Sequence, residues 1–149
     1  MKTLAQPRDL RELQGRLAEL TPADAPRWGR MSVGQMVCHL REAFSAPLGE
    51  RSVAPVKPPI PGPFIKWLAL SVPTAWPKIV PAPLELKISG CPAPVSHVDD
   101  RVGVQAKMLQ FADRREIAAP HPFFGRMTTE DWMRWGYLHT DHHLRQFGR

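Results

Sequence analysis

Leucines recur at helical spacing in the first predicted element of the chain. They follow one another at intervals of three or four residues, with charged residues between them, and this spacing predicts an amphipathic helix over residues 7–20. Pro7 suits a first helical turn, where its missing N–H needs no partner, and Thr21-Pro22 ends the segment. The apolar stripe consists of Leu10, Leu13, Leu17 and Leu20.

A second helix is predicted to begin after Ser32, which forms a capping-box pattern with Gln35. Pro47 stops this helix, because proline removes a backbone donor and clashes with the preceding turn. The second stripe consists of Val33, Met36, Val37, Leu40 and Phe44.

Two more long helices are predicted in the second half of the chain. The third runs from Ser96, a plausible N-cap, to about residue 114, and its register is left open. The fourth follows a second capping pattern, Thr128 with Asp131, and continues to Phe147, after which Gly148 is a natural stop. The stripe predicted for the third helix consists of Val98, Val102, Ala106, Leu109 and Ala112.

Residues 47–95 differ from the rest of the chain because they hold 12 of its 17 prolines. Such spacing excludes a long helix, and only a short one is predicted over residues 64–71, with Phe64, Trp67 and Leu68 on one side. We expect an ordered segment packed on the body of the protein. No stretch alternates with period two, so the sequence predicts an all-α fold. The fold class is a four-helix bundle with a long proline-rich crossover between the second and third helices, in a single domain of residues 1–149.

Charge and apolar content narrow the functions that the chain can have. The net charge is +6, but the arginines are dispersed without a basic run, which makes nucleic-acid binding the weakest hypothesis. The longest apolar run contains Lys66 and is shorter than the roughly 20 residues that cross a bilayer.

Cys38 and Cys91 can pair, yet two cysteines favour a reduced protein over a disulfide framework. With no leader peptide visible, a cytoplasmic location is expected.

Three histidines lie close together near the end of the chain, at positions 139, 142 and 143. At about 100° per residue, His139 and His143 fall about 20° on either side of Trp132, whereas His142 lies about 80° away. Two imidazoles one turn apart on an inward face are a recurrent metal-binding arrangement. Two hydrogen-bonded core histidines are the alternative interpretation.

A third ligand is needed, and His39 in the second helix is the best candidate. It lies at the edge of the apolar stripe, with Glu42 three residues further on, able to reach the same ion or to orient a water. Because the repeated Glu-x-x-His sets of a di-iron bundle are missing, a mononuclear site is favoured. His121 is expected to pack in the loop before the fourth helix, and His97 to be exposed.

The residues around these histidines resemble the DinB/YfiT-like superfamily. The resemblance rests on residues 28–39, on residues 121–125 and on the run from His139 to Gln146. It covers the second and fourth helices and hardly touches the proline-rich middle. Members are similar to four-helix bundles that bind one divalent ion, often nickel or zinc, through three histidines. The resemblance implies that His39, His139 and His143 are these ligands.

The same resemblance implies a function in outline. Some relatives are transferases or isomerases that use low-molecular-weight thiols, and others are linked to DNA-damage responses. We expect a divalent-metal-dependent enzyme that carries out thiol transfer or hydrolysis on a small molecule, and a homodimer, since bundles of this kind often dimerise. The alternative is a non-enzymatic stress-response or binding protein whose ion is structural or absent.

Overall fold

The computed structural model describes residues 1–56, 60–72, 76–78 and 97–149, without the side chain of His97. This part of the chain contains five helices and no strand, so its fold is all-helical as predicted. An isolated β-bridge joins His121 to Gly125. The helices are α1 (Pro7–Ala18), α2 (Val33–Ser45), α3 (Gly62–Ser71), α4 (His97–Ala112) and α5 (Thr129–Gln146).

Capping boxes begin α2 and α5, as the sequence predicts. The Ser32 hydroxyl accepts a hydrogen bond from the Gln35 N–H (3.2 Å), and the Gln35 side chain accepts one from the Ser32 N–H (2.9 Å). Thr128 and Asp131 form the same reciprocal pair, at 3.1 and 3.0 Å. Because one cap contributes about 1 kcal/mol, short-range bonds fix where these two helices begin.

The core lies where α2 packs against α4, and where α5 packs against α1, α2 and α3. The stripes predicted for the first two helices are buried throughout. Four aromatic rings meet at the centre, with contacting centroids 5.1–6.4 Å apart, mostly in the edge-to-face arrangement that aromatic pairs prefer. These rings belong to Phe44, Phe111, Trp132 and Trp135.

The stripe predicted for α4 is wrong. Val98, Val102 and Leu109 are each more than half exposed, at 56, 57 and 52%. The helix is rotated so that Phe111 enters the aromatic centre, and an aromatic ring buries more apolar area than a valine does. The residues that α4 buries are Val104, Met108 and Phe111.

The face predicted to be buried on α3 is wrong as well. Phe64, Trp67 and Leu68 are exposed, whereas Leu70 is 5% exposed and is the only buried residue of this helix. A ten-residue helix with apolar side chains on most of its surface does not define one inward face by periodicity. The predicted cap Ser96 and the segments 57–59, 73–75 and 79–96 of the predicted crossover lie outside the described residues.

Cys38 is disulfide-bonded, so the described part of the chain contains no free cysteine. This corrects the expectation of reduced thiols; Cys91 lies outside the described residues. None of the described helices combines the length and apolar character needed to cross a membrane.

Gly136 lies where α5 crosses the core, and its lack of a side chain is required there. A Cβ atom would lie 2.6 Å from Leu4 Cδ1, 3.2 Å from a ring carbon of Phe111 and 3.3 Å from one of Phe44. All three neighbours are buried, so they have little room to move.

We expect Gly136→Ala to lower the free energy of unfolding by about 1 kcal/mol or more, measured by equilibrium urea denaturation.

Gly15→Ala is the matched control, because Gly15 lies in α1 with nothing within 4 Å of an added Cβ. Alanine has the better helix propensity, so this variant is expected to gain up to about 1 kcal/mol. Equal changes in the two variants would contradict the packing interpretation of Gly136.

Candidate metal centre

Three histidines from two helices converge at one place. His39 lies in the middle of α2, and His139 and His143 lie one turn apart on α5. One ring nitrogen of each lies within 4.8 Å of the other two. The ring centroids are 4.7–5.1 Å apart, so the three rings form a nearly equilateral triangle. These histidines, the same three that the resemblance implies, are close enough to hold a metal ion.

The spacing of the ring nitrogens of His39 and His139 suits a divalent ion. The Nε2 atoms of His39 and His139 are 3.2 Å apart. Two nitrogens bound tetrahedrally to zinc, at about 2.0–2.1 Å each, lie about 3.3 Å from one another. An N–H···N hydrogen bond also has this length. The Nδ1 atom of His139 is buried and has no partner among the described residues. The polar contact of this ring is therefore made by Nε2, which faces Nε2 of His39.

Gln146 determines which nitrogen His143 presents. The Gln146 amide Nε2 donates to the Trp28 carbonyl oxygen (2.8 Å), so its Oε1 faces Nδ1 of His143 at 3.1 Å. Oε1 is an acceptor, and therefore Nδ1 carries the proton. The lone pair of His143 is then on Nε2, the tautomer in which a histidine binds a metal while its other nitrogen is held by a second residue.

Gly29 makes room for this amide. A Cβ atom at Gly29 would lie 2.9 Å from Gln146 Nε2, and the residue has φ +76°, a conformation that favours glycine. The loop before α2 and the end of α5 therefore fit together at the point where the ring of His143 is oriented.

Burial keeps the two histidines of α5 neutral. Desolvation lowers the pKa of His139 well below its usual value, and it lowers the pKa of His143 to about 3, with smaller contributions from the neighbouring histidines. The ring of His139 also stacks on Trp135, with centroids 4.7 Å apart and planes 16° from parallel. Neutral imidazole is the form that binds metals, so the rings are both oriented and in the right protonation state.

The carboxylates near the cluster are paired elsewhere. Glu42 forms an ion pair with Arg51, so the suggestion that it reaches the ion is not supported. Asp141 forms an ion pair with Arg16 at 2.7 Å. Within the described ranges, no cysteine or carboxylate joins the three histidines.

His142 and His121 do not belong to the group of three, and the side chain of His97 lies outside the described part of the chain. His142 contacts the ring of His143 (5.3 Å between centroids) and that of Trp28 (5.8 Å), and it is a neighbour of the group, as the helical wheel predicts. His121 is buried in the loop before α5, where its Nδ1 accepts hydrogen bonds from the N–H groups of Phe123 (3.2 Å) and Phe124 (3.3 Å). The loop-packing role predicted for His121 is confirmed.

The sequence analysis did not assign the supporting roles of Gln146 and Trp76. Gln146 follows His143 by three positions, a spacing at which helical side chains meet, so this contact was within reach of sequence reasoning. Trp76 lies 6.3 Å from His139 between ring centroids, held by a hydrogen bond from its indole N–H to the Ala69 carbonyl (2.9 Å). No local pattern brings residue 76 to the end of α5.

Comparison with known proteins gives a family without an activity. Residues 7–149 match the family described as "Protein of unknown function (DUF1569)", and the chain belongs to this family. No match was found among curated proteins or among solved structures. The matched range contains all three histidines of the cluster, so the function has to be argued from the geometry of that cluster.

Acidification is expected to destabilise the protein through His121. Burial lowers its folded-state pKa to about 3, whereas an unfolded histidine titrates near about 6.5. Between these values the unfolded state binds more protons, so stability that is complete above the unfolded pKa is lost as the pH falls. Protonation also removes the acceptor that holds the N–H groups of Phe123 and Phe124.

The measurement is the free energy of unfolding at pH 7 and at pH 5, for the wild type and for His121→Asn. The asparagine oxygen can replace Nδ1 as acceptor and does not titrate. We expect the wild type to lose about 2 kcal/mol more than the variant over this interval. The same loss in both proteins would show that His121 does not contribute to the pH dependence.

Proposed function

We propose that the protein is a mononuclear divalent-metal enzyme of the DinB/YfiT-like type, with His39, His139 and His143 as the metal ligands. The observation that carries this proposal is the convergence of three imidazoles from α2 and α5. Zinc and nickel are the favoured ions, because imidazole suits both. The proposal includes the architecture of that superfamily, a four-helix bundle of α1, α2, α4 and α5 in a single domain, with residues 47–95 packed on it.

The number of protein ligands favours catalysis over a structural ion. Structural zinc sites are closed by four protein ligands, whereas catalytic sites have three and keep a position open. In the parts of the chain that are described, three histidines form the group without a fourth ligand. A divalent ion bound there would supply a Lewis acid that lowers the pKa of a water or a thiol. Thiol transfer and hydrolysis on a small molecule both follow from this chemistry, with a low-molecular-weight thiol as the proposed partner.

The residues of the chain orient the ligands and limit the access of water. Gln146 holds His143 in one tautomer, and Trp135 stacks on His139. His39 and His143 are only 6 and 7% exposed. Fixed, largely desolvated ligands avoid reorganisation when the reaction takes place, which is the main way a protein raises the reactivity of such a site.

The location and assembly expected from the sequence stay predictions. A homodimer belongs to the proposal through the resemblance to dimerising bundles.

Metal loading tests the ligand set. Wild-type protein is incubated with zinc or nickel, dialysed and submitted to elemental analysis, with one ion per chain expected. His39→Ala and His143→Ala are each expected to lose the ion, because two imidazoles bind far more weakly than three. His142→Ala is the matched control, since it removes the adjacent imidazole that lies outside the group, and it should keep the ion.

Circular dichroism shows whether each variant is folded, so that a lost ion is not confused with a lost fold. Full occupancy in folded His143→Ala would refute the proposed site.

Cobalt substitution tests whether the site has an open position. The visible absorption of Co²⁺ changes with its ligands, so a small thiol such as 2-mercaptoethanol is titrated into cobalt-loaded protein. We expect a saturable spectral change, because an open position accepts a thiolate. Cobalt-loaded protein whose spectrum is the same at every thiol concentration would favour the structural ion and contradict the enzyme proposal.

A further inference from the structure

A second candidate site lies on the outer side of α5, in a cavity of about 320 Å³ next to the histidine cluster. The cluster histidines do not line this cavity, but His142 and Trp76 do. The ring of His142 lies 5.3 Å from that of His143, and the ring of Trp76 lies 6.3 Å from that of His139, between centroids. The cavity is therefore separated from the cluster by a single layer of rings.

Positive charge dominates the lining of the cavity. Four cationic side chains and one carboxylate, Asp141, surround it. Two of the cations are neutralised: Arg145 binds Asp141 at 3.3 Å, and Arg149 binds Asp24 at 2.7 Å. The main-chain oxygen of Arg149 accepts a hydrogen bond from Arg16 (2.9 Å). The net excess of positive charge in the lining comes from the other two cations.

Arg27 and Lys78 supply this excess, and neither forms an ion pair with a carboxylate of the described residues. The position of Arg27 is built into the fold, because its backbone N–H donates to the Gln146 carbonyl (2.7 Å). Its guanidinium also packs on Gly148, where an added Cβ would lie 2.6 Å from Nη2. Gly148 thus leaves room for the guanidinium beside the end of α5.

Flat apolar surfaces accompany these charges. Trp28 and Trp76 both line the cavity, and the ammonium group of Lys78 lies over the Trp28 ring, 5.5 Å from its centroid. The indole N–H of Trp28 and the Nε–H of Arg149 are buried and have no acceptor in the described part of the chain. Buried donors without partners are rare in proteins and indicate a missing acceptor.

We propose that this cavity binds a small molecule that joins an oxyanion, either a carboxylate or a phosphate, to a flat aromatic group. Arg27 and Lys78 are the charged partners of the oxyanion, and Arg27 can bind it through two parallel N–H groups. Trp28 and Trp76 are the surfaces on which the aromatic group stacks. The site is distinct from the histidine cluster and needs no metal.

The test uses metal-free protein and isothermal titration calorimetry with three probes of similar size: phenyl phosphate, benzoate and neutral benzyl alcohol. Ligands this small bind at about millimolar Kd. We expect at least one of the two anions to bind, more weakly as the salt concentration rises, and benzyl alcohol not to bind. The comparison of phenyl phosphate with benzoate identifies the preferred oxyanion.

Arg27→Gln is expected to weaken binding of the preferred anion about fivefold or more, because a charge-assisted pair is lost. Arg11→Gln is the matched control: it removes an exposed arginine of α1 and should leave binding unchanged. The proposal is overturned if neither anion binds, if benzyl alcohol binds equally well, or if the two variants behave alike. Anion binding that persists in folded His143→Ala would separate this site from the metal proposal, since each can then fail without the other.

Discussion

The edge-to-face packing of Phe44, Phe111, Trp132 and Trp135 determines how α5 lies against α2 and α4, and the histidine cluster depends on it. Trp135 contacts both phenylalanines and also stacks on His139. The apolar centre therefore continues directly into the cluster. Gly136, next to Trp135, lets α5 come close enough for His39 and His139 to meet. A close-packed interior resists the small displacements that would separate the ring nitrogens.

Much of the cluster was predictable because its geometry is mostly local. His139 and His143 are one turn apart on a helix whose start is fixed by the Thr128 capping box, so a helical wheel places both rings on one face. His39 was harder to place, since it lies at the edge of its stripe, and the likeness to the DinB/YfiT-like superfamily supplied what periodicity did not. Its role as a metal ligand remains a prediction, whereas its proximity to the other two rings is observed.

The elements that were predicted poorly are those whose orientation depends on distant contacts. The rotation of α4 follows from Phe111 entering the aromatic centre, whereas Val98, Val102 and Leu109 on that helix gave a competing stripe. Helix α3 is apolar on most sides, so only its contact with α5 decides that Leu70 is the buried residue. The hydrogen bond from Gln146 to the Trp28 carbonyl joins residues 118 positions apart, and no sequence pattern in either segment predicts it.

The same hydrogen bond joins the loop before α2 to the end of α5, between the histidine cluster and the cavity. Trp28 accepts from Gln146 through its carbonyl, and its indole forms a wall of the cationic cavity. A ligand that displaced Trp28 would also change how firmly Gln146 holds the ring of His143. If the two proposed sites were coupled in this way, reciprocity would require an ion at the histidine cluster and a ligand in the cavity to change each other's affinity by the same factor. The loop around Gly29 would in this way act as a mechanical link, through which each of two neighbouring sites responds to the state of the other.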